Sequence, residues 1–378
     1  MNNPGYIFVD TAEGLSALAG RIAAVPQVAL DTEADSLHHY YEKICLIQLA
    51  VAGDNYIVDP LAGLDLAGLL GALDGKEILF HGADYDLRLL RSSLAFTPRG
   101  PIFDTMLAAR LLGFERLGLA ALAQEFLGVT LNKGGQKFDW SRRPLPEDKL
   151  AYAANDTRHL ETLAGLLLAR LRERGREEWH RETCEILLRD TREDRGEKEP
   201  DEVWRIKGLK DFTREQLALV RGLWHWREEE ARQADIPPFK VLGNAQLIDL
   251  ALWLHGHSGR PLSRGPKLPR NCLGRRLEAL EKAIAEARSL PAERRPTPPE
   301  RKRFIPSSPQ EVARFDALRA AVAAAAGKLG IPASVLAPQA SLWAIARAAP
   351  RTEDEIMTSG GLARWQARLL SPLLGGEV

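Results

Sequence analysis

Two acids one residue apart, Asp31 and Glu33, end the segment Gln27–Asp35, QVALDTEAD. Val28, Ala29 and Leu30 before them are a short apolar run that predicts a buried strand. Residues i and i+2 of a strand project to one face, so both carboxylates enter the same space. Like charges held that close favour a cation between them. Further acids follow at Asp84 and Asp86, in H81-G-A-D-Y-D86-L after the apolar run EILFH, where a strand should hand over to a helix. Asp84 is placed to cap that helix, which leaves Asp86, in its first turn, as the better metal ligand. Last comes Y152-A-A-N-D156, whose phenol and carboxylate share a helix face at i and i+4.

These residues need elements that bring them together. A lead strand, Tyr6–Val9, precedes a helix capped by Thr11, and the strand of Asp31 and Glu33 is followed by strands Ile44–Val51 and Asn55–Val58, a meander expected to be antiparallel. A Leu-rich helix at 62–73, a strand Glu77–His81, a helix from Tyr85, a strand at Ile102–Phe103 and a helix from Asp104 then alternate, which predicts a sheet continuing in parallel with helices on both faces. One helix is expected at 118–127, and one long helix from Pro146 to Arg174 carries Tyr152 and Asp156. Between them lies a loop rich in Gly, Lys and Arg, residues 128–145.

At 378 residues the chain exceeds one ordinary core. No apolar stretch approaches the roughly 20 residues of a membrane span, and no secretory signal is visible, so the expected location is the cytoplasm. Cys45, Cys184 and Cys272 lack C-x-x-C spacing, which argues against a disulfide framework and a zinc knuckle. Residues 1–160 hold 14 Lys and Arg against 20 Asp and Glu, and the remainder reverses the balance. An acidic front suits cations, and a basic rear suits a polyanion. The rear is helical around FTREQLALVRGLWHWREEEAR and again over 311–374, separated by the Pro-rich basic tether 291–310. A charged run, Arg189–Glu202, precedes both. Trp204, Trp224, Trp226 and Trp253 recur at helical spacing and are expected in the core.

In order and residue type, D31-T-E33, H81-G-A-D-Y-D86-L and Y152-A-A-N-D156 resemble the three motifs of the DEDD superfamily of 3′→5′ exonucleases, in the subgroup with tyrosine in the last motif, and within it the ribonuclease D family. D104-T-M-L-A-A-R-L-L and K133-G-G-Q-K-F-D-W-S-R-R-P-L-P are in the same style, and the rear resembles the small helical HRDC domain. The resemblance implies an α/β ribonuclease H-like exonuclease domain over 1–175, mixed sheet with helices on both faces. Two small all-α HRDC-like domains, 203–290 and 311–374, then flank the 291–310 linker. It implies two divalent ions, Mg²⁺ or Mn²⁺, on Asp31, Glu33, Asp86 and Asp156, with Tyr152 positioning the attacking water. The implied reaction releases nucleoside 5′-monophosphates from free 3′ ends of tRNA precursors and other small structured RNAs. His81 reads as a packing or hydrogen-bonding residue. His38 and Tyr40 are candidates to stack on bases, and Lys133, Arg142 and Arg143 to grip phosphates. A monomer is expected. A DNA-directed exonuclease and a binding module without activity are the competing readings.

Overall fold

The computed structural model describes residues 5–131, 134–135, 137–192, 202–298 and 308–374. Lys133, most of the charged run before Glu202 and the middle of the 291–310 tether lie outside the described residues.

Six strands make one sheet: β1 (Ile7–Val9), β2 (Gln27–Ala34), β3 (Ile44–Val51), β4 (Asp54–Val58), β5 (Glu77–Phe80) and β6 (Ile102–Asp104), in the order β1-β4-β3-β2-β5-β6. The meander β2-β3-β4 is antiparallel, as its short turn Ala52–Gly53 dictates, while β5 and β6 continue in parallel beside β2 and β1 pairs β4 in parallel. The core strand β2 thus has the meander on one side and the parallel strands on the other. Asp31 pairs with Gln48 and Glu33 with Leu46 across the β2–β3 ladder.

Among the described residues up to 192, the helices beside the sheet are α1 (Ala12–Ala23), α2 (Ala67–Leu73), α3 (Asp84–Leu94), α4 (Thr105–Leu111), α5 (Leu119–Leu127), α6 (Glu147–Arg158), α7 (Leu160–Glu173) and α8 (Glu177–Arg192). Leu15, Leu18 and Ile22 of α1, Leu69 and Leu73 of α2, and Leu87 and Leu90 of α3 share one core with Val28, Leu30, Ile47 and Leu49. On the other face, Ala153 and Ala154 of α6 pack with Leu46, Ile57 and Trp140, and Leu160, Leu163 and Leu167 of α7 pack with Ala29, Ala50 and Leu79. The helix expected as one rod from Pro146 to Arg174 is two, broken at His159, whose φ of −108° and ψ of −1° take it out of the helical path. The Leu-rich helix is also shorter than expected. A single turn at Pro60–Ala62 precedes it, and α2 starts at Ala67.

Contacts divide the chain into two compact units. The second comprises Asp35–Lys43 with the helices α9 (Arg214–Gln233), α10 (Pro238–Val241), α11 (Asn244–Gly256) and α12 (Arg275–Ser289). Trp204 and Trp226 are buried there among Leu217, Leu250 and Leu280, with Trp224 and Trp253 half-buried against them. The remaining helices, α13 (Pro309–Leu329), α14 (Ala333–Leu336), α15 (Gln339–Ala348), α16 (Glu353–Gly360) and α17 (Arg364–Leu374), cluster with the sheet unit. Phe315, Leu318, Ile331 and Trp365 continue the apolar cluster of Leu111, Leu167 and Leu171. Trp179 of α8 stacks on Trp365 at 4.6 Å, and the Arg176 guanidinium donates to the carbonyls of Leu111 and Leu329.

Candidate active site

The strand β2 sends Asp31 and Glu33 to the face that α6 covers. α6 returns Asp156, and a ligand oxygen from each of the three lies within 4.8 Å of the other two. All three side chains are part-buried, open enough for small ions to reach yet crowded by protein. Asp86 comes from α3 on the opposite face and is buried at 6% exposure. Its Oδ1 accepts the Thr32 hydroxyl at 2.6 Å and the Thr32 backbone N–H at 3.1 Å, which pins it to the residue between Asp31 and Glu33.

Burial pushes the Asp31 carboxyl well above the usual carboxylate range, and Asp86, Asp156 and Glu33 push it the same way. Glu33 is raised to about 9 by burial and then by Asp156 and Asp86. Asp156 is raised to about 7 by burial and Asp86, and Asp86 to about 6 by burial, opposed by its bonds to Thr32. An all-oxygen donor set with this much unrelieved negative charge fits hard divalent cations, and the residues present therefore suit Mg²⁺ or Mn²⁺. The Tyr152 phenol is pushed up by burial, Asp156 and Glu33, so it stays protonated and can donate. Its ring stacks on Trp140, centroids 6.2 Å apart, and a Cβ on Gly135 would fall 2.2 Å from Tyr152 Cε1, so only glycine lets that loop cross the ring.

The choice between Asp84 and Asp86 is clear in space, but the expected capping role is not. The residue preceding α3 is Ala83, Asp84 lies inside the helix, and its exposed carboxylate pairs with Arg88 at 3.0 Å. The capping work comes from Asp104, buried at the start of α4. Its carboxylate accepts the N–H groups of Gly82 (3.1 Å) and Ala83 (2.8 Å) as well as those of Met106 (2.8 Å) and Leu107 (3.1 Å) of its own helix. One side chain therefore ties two helix starts together and fixes the turn that delivers Asp86. His81 Nδ1 lies 2.9 Å from the Thr105 hydroxyl, which donates to the Phe80 carbonyl, a hydrogen-bonding role.

The candidate RNA contacts have other placements. His38 and Tyr40 belong to the second unit. Tyr40 packs on that unit's core and its N–H donates to Asp235, while His38 Nδ1 lies 3.5 Å from Lys240 Nζ. Arg143 is committed to structure: it clasps Asp59 with two donors at 2.6 Å and also bonds the carbonyls of Cys45 and Trp140. Arg142 is exposed, with Asp139 at 3.2 Å. Sequence reasoning missed Thr32, Asp104, Trp140 and Gln48. For Asp104 and Trp140 the segments D104-T-M-L and D139-W-S-R-R had already stood out, without a role.

A family model described as 3′-5′ exonuclease matches residues 6–172, and one described as HRDC domain matches 216–253 and 311–375. The ribonuclease D of Acidiphilium cryptum is 35% identical over 252 residues, covering 66% of this chain but only 63%, less than two thirds, of that protein. The ribonuclease D of Gluconacetobacter diazotrophicus is 32% identical over 327 residues, covering 84% of this chain and 81% of its own. Among solved structures, Escherichia coli RNase D, an exoribonuclease involved in structured RNA processing, is similar at 25% identity with a TM-score of 0.72, covering 99% of this chain and 98% of that one.

Proposed function

This chain belongs to the ribonuclease D family and carries its exonuclease and HRDC domains, and on that premise we propose that it is a divalent-metal-dependent 3′→5′ exoribonuclease. It releases nucleoside 5′-monophosphates and trims the 3′ ends of tRNA precursors and other small structured RNAs. The observation that carries this reading is the convergence of Asp31, Glu33 and Asp156 within 4.8 Å, with Asp86 anchored on Thr32 beside them.

Asp31, Glu33 and Asp156, with Asp86 beside them, would hold the divalent ions. When bound, a pair of divalent ions activates the attacking water and stabilises the departing 3′ oxygen of an in-line displacement. Tyr152, held between Trp140 and Gly135, orients that water by donating from its protonated phenol. Arg142 and Lys133 contact phosphates, and His38 and Tyr40 belong to an RNA-holding surface of the second unit. That unit raises the effective concentration of the RNA for the exonuclease domain. We take 1–175 as the exonuclease domain, 203–290 and 311–374 as the HRDC parts, and a cytoplasmic monomer as the working form. Among the described residues no helix is long and apolar enough to cross a membrane.

The test is purified protein with a 3′-extended tRNA and with matched single-stranded DNA, each with Mg²⁺ and with chelator. Metal-dependent shortening of RNA in preference to DNA is expected. Preference for DNA, or binding without shortening, overturns the reading.

A further inference from the structure

The strand β3, ICLIQLAV, is buried along its whole length and carries one carboxamide, Gln48, at 0% exposure. Neither its amide nitrogen nor its amide oxygen has a hydrogen-bond partner. Leaving such groups buried and unpaired is destabilising, and an apolar residue like its neighbours Ile47 and Leu49 would avoid that cost. A polar group retained there needs a reason.

The ladder supplies one. Gln48 stands directly opposite Asp31 on β2 and opposite Ile57 on β4. Residues paired across antiparallel strands put their side chains on the same face, about 4.5–5.5 Å apart at Cβ, with the i±2 neighbour on the diagonal. Ile57 offers nothing polar; Glu33 of β2 and Asn55 of β4, whose Oδ1 is also unpartnered, stand on the diagonals, and Asp31 is the polar residue directly opposite. We propose that Gln48 is a positioning residue: its amide, unpartnered here although it stands opposite Asp31 in the ladder, donates to the Asp31 carboxylate once that carboxylate is ionised to hold the divalent ions. This rests on the two-ion reading above and extends it. The residue type suits the task. A lysine or arginine at this position would neutralise the acid and repel the ions, whereas a neutral amide orients the carboxylate and leaves its charge for them.

The experiment uses the full chain with Gln48→Met and Gln48→Leu, which keep the volume and remove the amide. Two quantities are read: the melting temperature without metal, and the Mn²⁺ concentration that half-saturates the metal-induced rise in melting temperature. A group that merely filled the core would lower the first. A positioning amide leaves the metal-free melting temperature at or above that of the unaltered protein, and raises the half-saturating Mn²⁺ by about 10–100-fold, the range typical for groups that orient metal ligands. The loss of exonuclease activity is then recovered by excess Mn²⁺. Unchanged Mn²⁺ response in folded variants overturns the proposal, as does failure of both variants to fold. The unaltered protein is the control for the underlying reading: if it shows no Mn²⁺ response at all, the metal site itself is refuted and Gln48 falls with it.

Discussion

Replacing Asp156 with asparagine should make the metal-free protein harder to melt at pH 8 while abolishing its activity. Asp156 titrates near 7 in the folded site, against an ordinary aspartate value of 3.8, because burial and Asp86 disfavour its charge. A carboxyl whose value is raised on folding leaves stability intact below about pH 4, where both states hold the proton. That stability is lost as pH rises through 7. At pH 8 the charge is present in both states, and a difference of roughly three pKa units corresponds to an upper figure of about 4 kcal/mol. Each kcal/mol moves the midpoint by about 2–4 °C in a domain of 150–250 residues, so a gain of several degrees is expected. The assay is thermal unfolding of both proteins in chelator at pH 8 and pH 4.5, then at pH 8 with added Mg²⁺. The variant should melt higher at pH 8, at pH 4.5 the offset should shrink to about a quarter of that, and Mg²⁺ should raise only the unaltered protein. A variant that melts lower at pH 8, or an offset independent of pH, would refute the idea that these carboxylates repel one another until cations arrive.

Two further outcomes concern the same site. Asp86→Ala should abolish turnover, whereas Asp84→Ala should leave turnover within about twofold, because it removes only an exposed pair with Arg88 worth about 0.5 kcal/mol; single-turnover assays with the 3′-extended tRNA distinguish them. Gly135→Ala should lower the catalytic rate by tenfold or more, since a misplacement of about 1 Å can cost on the order of 100-fold, while the far-ultraviolet circular dichroism spectrum stays unchanged.

The parts of the site legible in the sequence are those written by local geometry. The period of a strand puts Asp31 and Glu33 on one face, and the period of a helix does the same for Tyr152 and Asp156. The position of Asp84 was misjudged because a cap depends on which group reaches the free N–H donors. Those of Gly82 and Ala83 are taken by Asp104 from 22 and 21 residues away. The break at His159 has no glycine or proline to announce it. The apolar stripes of 309–374 say that a face is covered, but not that it is covered by Leu111, Leu167 and Leu171. Gln48 is visible as a lone amide in an apolar strand, and only the register with Asp31 gives it meaning.

The sheet unit is assembled from stretches of chain that lie far apart, for α13 to α17 close a core begun before residue 175, with the larger segment of the second unit inserted between. During synthesis the nuclease can finish its interior only once the codons beyond 365 have been read, which at about 5–20 residues per second is roughly 10–40 s after α7 is made. A growing chain therefore carries the apolar face of Leu111, Leu167 and Leu171 without its cover until translation is nearly over.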